Sequence, residues 1–328
     1  MNILLSIIIA VHNNERTLKK CIDSFYNKIK NNDKVEVICI NDHSTDSSLD
    51  IVKQYKKIKI CNSPKYGLGP SRNCGIQNAN AKYIWFIDAD DELCDESIDN
   101  KFLTLLEKSD SDLFLLGVEK ISQNKDVYLL NKNAGSYKFN ENSEEIQNLF
   151  LDNIFNNSWN KLYRKKVIDE NKCLFDEVSS VEDILFNCKF LTIANEVTVI
   201  NKVFYKYYIY SKTSTKWRWQ EDKLDVSVDM IKKLIKLKNG NYSINNKLVS
   251  LIATDTLIGN EINNYISSKD SKMNFAQYKS MFNMHKMEFI RKYSTILSSK
   301  NFSYFIKSCI ANSAFLSFLY VRKMISKH

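Results

Sequence analysis

Residues 6–25 read SIIIAVHNNERTLKKCIDSF, and this stretch decides the fold. The continuous, mostly β-branched run Ser6–Val11 predicts a buried strand. Apolar side chains then recur at Leu18, Ile22 and Phe25, which is the spacing of an amphipathic helix. The stretch therefore encodes a strand and a helix that packs on it.

The same strand-and-helix pattern repeats along the chain. Further strands are predicted at Val35–Ile40, Ile58–Cys61, Tyr83–Ile87 and Asp112–Gly117. Strands that alternate with helices predict an α/β fold, with a mostly parallel, Rossmann-like sheet flanked by helices. Such a sheet binds ligands at the carboxyl ends of its strands, so we expect the functional residues directly after the strands.

The last third of the chain differs in pattern and in charge. Residues 211–328 contain 20 basic and 8 acidic side chains, against 27 basic and 30 acidic in residues 1–210, so they carry more than the whole net charge of +9. Helical patterns alone follow Lys212, and a boundary near residue 215 divides the chain into domains 1–215 and 216–328. The other predicted elements are a helix from Ser97 to Lys108, a hairpin through Ile121–Leu130, a strand at Val203–Tyr210, and helices at Ser143–Phe155, Leu224–Leu237, Lys247–Tyr265 and Phe302–Met324.

Cysteine usage and hydropathy exclude several classes of protein. The eight cysteines form no CxxC pair and have no histidine at zinc-ligand spacing, which excludes zinc ribbons and argues against a disulfide framework. No apolar run reaches the roughly 18 residues of a membrane-spanning helix, and the apolar N-terminal run lacks the features of a signal peptide. We expect a cytoplasmic protein with reduced thiols, either soluble or peripheral on the inner face of the membrane.

Three carboxylates follow the strand Tyr83–Ile87 in the sequence Asp88-Ala89-Asp90-Asp91. Carboxylates packed this closely repel one another unless a cation lies among them, and oxygen ligands suit Mg²⁺ or Mn²⁺. The alternative is a solvated, aspartate-rich turn that caps the next helix.

Two other strand ends carry candidate ligand contacts. Asp42 follows the strand Val35–Ile40, where a carboxylate can accept hydrogen bonds from a ribose or a base, while Ser44 or Asp46 can cap the next helix. The glycines of Gly67-Leu68-Gly69 match neither a dinucleotide fingerprint nor a Walker loop, so they predict a tight turn before a helix that starts at Pro70. Arg72, in the first turn of that helix, is placed to reach a ligand phosphate.

Glu182 and Asp183 stand at the start of a predicted helix. The helix dipole stabilises negative charge at this end, which is a sufficient structural reason for the pair. A carboxylate aimed into a cleft can equally act as a general base on an attacking hydroxyl.

Six motifs, taken in order, resemble those of the family 2 glycosyltransferases with a GT-A fold. The resemblance covers roughly residues 4–215 and does not extend to residues 216–328. The motifs are SIIIAVHNNERTLKKCIDSF, VEVICINDHSTDSS, GLGPSRNCGI, AKYIWFIDADDEL, WNKLYRKKV and SVEDILFNCKF.

The resemblance implies a role for most of these residues. Asp183 would be the catalytic base with Glu182 as its supporter, and Asp90, with Asp91 nearby, would hold a Mn²⁺ or Mg²⁺ ion on the donor diphosphate. Asp42 would contact the uracil of a UDP-sugar. The donor site as a whole would comprise Ala10, Val11, His12, Glu15, Asp42, Arg72, Asp88, Ala89 and Asp90.

Three residues depart from the family pattern. Ala10 replaces the usual Pro, His12 a common Tyr, and His43 a typical Gly. All three fall at the predicted base pocket, so they bear on recognition of the nucleobase more than on catalysis.

The function that the resemblance implies is inverting, metal-dependent sugar transfer. A UDP-sugar, with galactose or an N-acetylhexosamine as the sugar, would donate to a hydroxyl of a surface glycan such as lipooligosaccharide or capsule, forming a β-linkage. The alternative is an inactive protein that binds sugar nucleotides or glycans on the same fold.

The basic region 216–328 leaves several partners open. Its last helix, with lysines and arginines at both ends, suits an anionic membrane surface, and it suits equally well packing on the catalytic domain or on a second subunit. Nucleic acid is not expected as a partner, since no nucleic-acid-binding motif accompanies the charge.

Overall fold

One mixed sheet of ten strands organises the part of the chain that the structure describes. The structure is a computed structural model, and it describes residues 3–95, 97–122, 127–129, 134–138, 157–177, 182–209 and 223–238. The chain divides into two compact units, residues 1–140 with 154–209, and residues 141–153 with 210–328.

Four strands of the sheet form a parallel set: β1 (Leu5–Val11), β2 (Val35–Asn41), β3 (Ile58–Asn62) and β4 (Tyr83–Asp88). Their order in the sheet is β3-β2-β1-β4. Helices α1 (Leu18–Ile29), α2 (Ser48–Val52) and α3 (Leu68–Asn78) connect them. The expected α/β fold is confirmed, and the apolar runs of β1, β2 and β4 are buried because helices pack on the sheet.

The other strands of the sheet run in both directions. Strand β9 (Lys161–Arg164) lies antiparallel between β4 and β6 (Leu113–Ile121), and β6 pairs in parallel with β10 (Glu196–Tyr208). Apolar periodicity specifies that a strand is buried but not its direction, so the sequence pattern did not predict the reversal at β9. The short strands β5 (Glu92–Leu93), β7 (Val127–Leu129) and β8 (Gly135–Lys138) are all antiparallel to their neighbours, β7 forming the predicted hairpin with β6.

The remaining helices in this unit are α4 (Asn100–Lys108), α5 (Lys165–Asn171) and α6 (Glu182–Ile193). Helix α4 begins three residues later than predicted, because the Asp99 side chain accepts the Phe102 N–H and caps it there. Helix α3 begins at Leu68, two residues before Pro70.

Helix α3 lies unusually close to the sheet. A Cβ atom at Gly75 would overlap the Ile8 side chain of β1, and one at Gly69 would lie 2.5 Å from the Asp176 carbonyl oxygen. The two glycines allow the helix to pack closely between the sheet and residues 173–177. This packing also fixes the position of the first turn of the helix and of its side chains.

In the second unit the structure describes helix α7 (Lys223–Lys238). Among its side chains at residues 229–237, Met230, Ile231 and Leu234 are buried, and its bounds confirm the helix predicted at Leu224–Leu237. The helices predicted at 143–155, 247–265 and 302–324 lie outside the described residues, and the boundary near residue 215 stays a prediction. Among the described helices, none combines the length and the apolar character needed to cross a membrane.

Candidate active site

The carboxyl ends of β1, β2 and β4 meet at one edge of the sheet. Ala10 of β1 pairs in register with Asp88 of β4, and Val11 pairs with Asn41 of β2. The fold thus places these strand-end residues, and Asp42 directly after β2, at one edge.

The loops after β1 and β2 are joined by hydrogen bonds. The Glu15 N–H donates to Asp46 Oδ2 (3.0 Å), and the Ser47 N–H donates to Glu15 Oε2 (3.2 Å). Asp46 Oδ1 also accepts the Ser48 N–H at the start of α2, but the N-cap residue of that helix is Ser47, and not Ser44 or Asp46 as the sequence had suggested. Glu15, a predicted donor contact, is exposed and in this structure ties one loop to the other.

Asp42 is buried and holds a third loop in place. Its two carboxylate oxygens accept the Gly67 N–H at 3.1 and 3.0 Å, and its carbonyl oxygen accepts a hydrogen bond from His12 Nδ1 at 2.6 Å. Gly67 has a φ of 112°, a conformation that side chains rarely adopt. The predicted base contact therefore also anchors the turn that leads into α3.

That turn presents an exposed tyrosine to two histidines, and we call His12, His43 and Tyr66 the aromatic rim. The Tyr66 ring stacks on His43 at 4.9 Å and meets His12 edge-on at 5.2 Å, while 64% of Tyr66 stays exposed. His43 has a φ of 57°, which accounts for the glycine that is typical at this position. Tyr66 was not among the predicted site residues, since a lone tyrosine in a polar turn carries no pattern.

In the acidic sequence Asp88–Asp91, which starts at the last residue of β4, one aspartate is buried and two are partly exposed. Asp91 is only 1% exposed, and its oxygens accept hydrogen bonds from the Tyr205 hydroxyl (2.7 Å) and the Tyr208 N–H (2.8 Å). Burial raises the pKa of Asp91 well above its usual value, with Asp88 and Asp90 adding to the effect. Strand β10 therefore occupies both oxygens of a residue that was predicted beside the metal.

Asp88 and Asp90 are partly exposed beside the small, buried Ala89. Burial raises the pKa of Asp90, and it raises the pKa of Asp88 to about 6 even though Arg72 opposes the shift. Within the described ranges, no group of three or more His, Cys, Asp or Glu side chains forms a ready metal site. One or two carboxylates fit a Mg²⁺ or Mn²⁺ ion whose other ligands are substrate phosphate and water.

Arg72 lies beneath this edge of the sheet and is 2% exposed. Its Nη1 donates to Asp183 Oδ1 and lies 3.8 Å from Glu182 Oε1, while its Nη2 donates to Asp88 Oδ1 at 3.0 Å. Burial alone would lower the pKa of Arg72, but the three carboxylates raise it above its usual value. The protein's own carboxylates enclose Arg72, the residue predicted to reach a phosphate.

Asp183 is held from two sides and remains accessible. Arg72 binds its Oδ1, the Ser158 N–H donates to its Oδ2 at 3.3 Å, and its side chain is 18% exposed. It lies in the first turn of α6, where the helix dipole favours negative charge. An oriented, accessible carboxylate of this kind is suited to accept a proton.

Glu182, its neighbour, is buried. Burial and the charge of Asp183 raise the pKa of Glu182 to about 7. Its Oε2 has no hydrogen-bond partner in the described part of the chain.

A buried lysine supports the loop that contacts Asp183. The Lys161 ammonium donates to the Asn157 carbonyl and to Asn160 Oδ1 (2.7 Å), and burial lowers its pKa well below the usual value. These bonds fix the residues on either side of Ser158. The motif WNKLYRKKV starts at Trp159, directly after Ser158. Its sequence did not predict that Ser158 and Lys161 lie close to Asp183.

Comparisons with known proteins identify the family of the chain. A family model described as glycosyl transferase family 2 matches residues 6–171. The chain is 29% identical over 212 residues to the putative glycosyltransferase EpsH of Bacillus subtilis, covering 62% of this chain and 60% of EpsH. It is 25% identical over 208 residues to the poly(ribitol-phosphate) β-N-acetylglucosaminyltransferase TarS of Staphylococcus aureus, covering 62% of this chain and 35% of TarS.

Solved structures share the fold. Residues 1–349 of S. aureus TarS in complex with UDP-GlcNAc match with a TM-score of 0.68 and 18% identity, over 99% of this chain and 90% of that one. The mannosyltransferase PcManGT of Pyrobaculum calidifontis, in complex with GDP-Man and Mn²⁺, matches with a TM-score of 0.52 and 10% identity, over 95% and 87% of the two chains. The GT-A architecture expected from the motifs is confirmed.

Proposed function

Because this chain belongs to glycosyl transferase family 2, we propose that it transfers a sugar from a UDP-sugar to a hydroxyl group of a bacterial surface glycan, with inversion at the anomeric carbon. The observation that carries this proposal is the position of Asp183. Arg72 and Ser158 orient its carboxylate, and Arg72 also binds Asp88 at the start of the acidic sequence. A base on the acceptor and carboxylates for the donor thus belong to one hydrogen-bonded group.

The donor and acceptor classes are supported by the relatives. TarS is named for transfer of N-acetylglucosamine to poly(ribitol-phosphate), and its structure is described in complex with UDP-GlcNAc. We therefore propose a UDP-linked N-acetylhexosamine or hexose such as galactose as the donor. The acceptor would be a hydroxyl of a polyol phosphate, capsule or lipooligosaccharide chain, and the product a β-linkage.

Asp183 would act as the general base in the reaction. Its accessible carboxylate would accept the proton of the acceptor hydroxyl as the oxygen attacks the anomeric carbon, and the bond to the UDP oxygen would break on the opposite face. Attack from the face opposite the leaving group inverts the configuration. A partly exposed, oriented carboxylate meets the geometric requirement of this step.

Asp90, with Asp88 beside it, would hold the metal ion in our proposal. Mg²⁺ or Mn²⁺, when bound, would neutralise the charge that develops on the departing diphosphate. Asp91 would not bind the ion directly, because Tyr205 and Tyr208 already occupy its oxygens. Its part would be to hold the acidic turn against β10.

The donor base would lie against the aromatic rim. Exposed aromatic rings provide stacking surfaces for nucleobases, and Tyr66 is the most exposed ring of the three. Asp42 would support binding of the base in two ways: it anchors the turn at Gly67 that carries Tyr66, and it would contact the uracil directly.

The direct experiment is a screen for UDP release. Purified protein is incubated with UDP-glucose, UDP-galactose, UDP-GlcNAc and UDP-GalNAc, with Mn²⁺, with Mg²⁺ or with EDTA. Slow, metal-dependent release of UDP from one donor, abolished in Asp183→Asn, would support the proposal. Binding of UDP-sugars without any release, in the presence of candidate acceptors, would favour an inactive binding protein instead.

The partners of the basic region are a separate proposal. We propose that the reaction takes place at the cytoplasmic face of the membrane, and that the basic residues of 216–328 contact anionic lipid or a second subunit. Flotation with vesicles of phosphatidylglycerol, comparing the full chain with a chain lacking residues 300–328, tests the lipid contact. Equal flotation of the two proteins would contradict a lipid contact by residues 300–328.

A further inference from the structure

We propose that Arg72 is a positioning residue, which sets the general base Asp183 at a fixed place relative to the acidic sequence that starts at Asp88. The inference rests on the proposed function and deepens it. It assigns Arg72 no contact with the donor, in contrast to the phosphate contact predicted from the sequence.

The guanidinium of Arg72 joins two elements of the fold. One nitrogen binds Asp183 and another binds Asp88, so a single planar group spans α6 and β4. The two nitrogens are held rigidly by resonance, so the two carboxylates cannot shift independently. A lysine in the same place carries the charge on one atom and cannot reproduce the fork.

Burial restricts what Arg72 can contact. Arg72 is 2% exposed, and its guanidinium lies 5.3 Å from the centre of the Phe175 ring and 5.9 Å from that of Phe86. Aromatic rings and carboxylates therefore surround the group. A phosphate would have to displace Asp183 or Asp88 in order to bind it.

The first turn of α3, which carries Arg72, is held rigidly by its neighbours. Asn73 binds the Phe175 main chain in both directions, at 3.0 Å from its Nδ2 to the carbonyl and at 2.9 Å from the Phe175 N–H to its Oδ1. The close approach of Gly69 to Asp176 adds a steric limit on the same side. Arg72 thus stands on a helix turn whose position is determined by residues 173–177.

The charge balance explains why an arginine is needed at this point. Asp88, Glu182 and Asp183 all lie within 4 Å of the guanidinium nitrogens. Without the cation, carboxylates brought together from β4 and α6 would repel each other and separate. The arginine therefore draws together the two groups that the reaction requires.

The test compares Arg72→Lys with Arg164→Lys. Arg164 is the matched control, because it also pairs with aspartates, Asp110 and Asp112, but its partner in the sheet is Tyr83, at the opposite end of β4 from Asp88. Turnover is measured as UDP release from whichever of the four UDP-sugars the wild type cleaves fastest. UDP binding is measured by calorimetry with Mn²⁺, and folding by thermal unfolding.

We expect Arg72→Lys to lower kcat by about 100-fold, since a base displaced by about 1 Å loses rate on that scale. The KM of the UDP-sugar and the Kd of UDP should stay within about threefold of the wild type, because Arg72 makes no donor contact. Arg164→Lys should change none of these values. Loss of folded protein would also lower the apparent kcat at constant KM, but it would reduce the stoichiometry of UDP binding in calorimetry. Displacement of the base alone should leave that stoichiometry equal to that of the wild type.

A second variant covers the case in which Arg72→Lys fails to fold. Phe175→Leu keeps an apolar side chain beneath the guanidinium but removes the ring that packs against it, and should lower kcat about fivefold with UDP binding unchanged.

Two results would overturn the inference alone. One is a Kd for UDP weakened tenfold or more in Arg72→Lys with kcat retained, which would make Arg72 a diphosphate ligand. The other is wild-type turnover in both variants. A wild-type protein that releases no UDP from any donor would instead overturn the proposed function, and the inference with it.

Discussion

The Tyr205 hydroxyl donates a hydrogen bond of 2.7 Å to Asp91 Oδ2, and the oxygen of that hydroxyl accepts the Asp88 N–H at 3.1 Å. One side chain of β10 therefore holds both ends of the sequence Asp88–Asp91. The Trp159 ring stacks on Tyr205 at 4.8 Å and on Tyr207 at 5.1 Å, which places the hydroxyl in a rigid setting.

Tyr205→Phe should therefore destabilise the protein by about 1–3 kcal/mol, since it leaves buried polar groups of the acidic sequence unpaired. Urea unfolding measures this change. Tyr207→Phe is the control, because Tyr207 stacks on the same tryptophan and its hydroxyl has no hydrogen bond with any described residue. If the two variants were equally stable, the bond to Asp91 would not have the structural role assigned here.

Asp90 and Asp91 should respond differently to removal of their charge. Asp90→Asn should weaken the Mn²⁺-dependent part of UDP binding by 10-fold or more, on the order of 1.4 kcal/mol, because a metal ligand is lost. Asp91→Asn should leave that part unchanged, since its oxygens are bound to β10. Calorimetric titration with UDP, in Mn²⁺ and in EDTA, measures the metal-dependent part of the affinity in each variant. If both variants lost this part equally, Asp91 would also be a metal ligand.

The aromatic rim should contribute to donor affinity. Tyr66→Ala should weaken UDP binding by about 10-fold, within the usual range for loss of a base stack. Leu105→Ala is the control, because Leu105 is also an exposed apolar side chain but lies on α4. Unchanged UDP affinity in Tyr66→Ala would place the base elsewhere.

Glu182 should make stability depend on pH. The pKa of the Glu182 carboxyl rises on folding from its ordinary value of 4.5 to about 7, so the folded protein binds the proton more tightly than the unfolded chain. The contribution of this group to the free energy of unfolding is therefore full below pH 4.5 and is lost as the pH rises through about 7. Glu182→Gln has no carboxyl to ionise at this position, so this pH-dependent decrease in stability is absent from the variant. Between pH 4.5 and 8 the wild type should lose on the order of 2 kcal/mol relative to the variant.

Urea unfolding of both proteins at pH 5 and pH 8 checks that expectation. Parallel changes in the wild type and in Glu182→Gln would show that the raised pKa of Glu182 is not the cause.

Most of the framework could be predicted from local pattern. The buried runs of β1, β2 and β4 and the helix stripe of α1 are contained in short windows of sequence, and the carboxyl-end rule then located Asp42 and Asp88. The direction of β9 was not predictable, because it depends on pairing with β6, which the local sequence does not encode.

The internal contacts of the site were the least predictable part. Arg72 and Asp183 are 111 positions apart, and their ion pair forms only when α3 and α6 converge. Asp91 and Asp90 are adjacent residues of the same type, and the contacts of Asp91 with Tyr205 and Tyr208 are what distinguish it from Asp90. Contacts of this kind depend on tertiary packing, which the spacing of residue types does not specify.

The central claim is that Asp183 is the general base of a sugar transfer. The most direct measurement combines UDP release from the preferred UDP-sugar with calorimetric binding of UDP, in the wild type and in Asp183→Asn. Loss of a general base should lower turnover by about 1,000-fold while the Kd of UDP stays within about twofold. Wild-type turnover by Asp183→Asn would contradict the account.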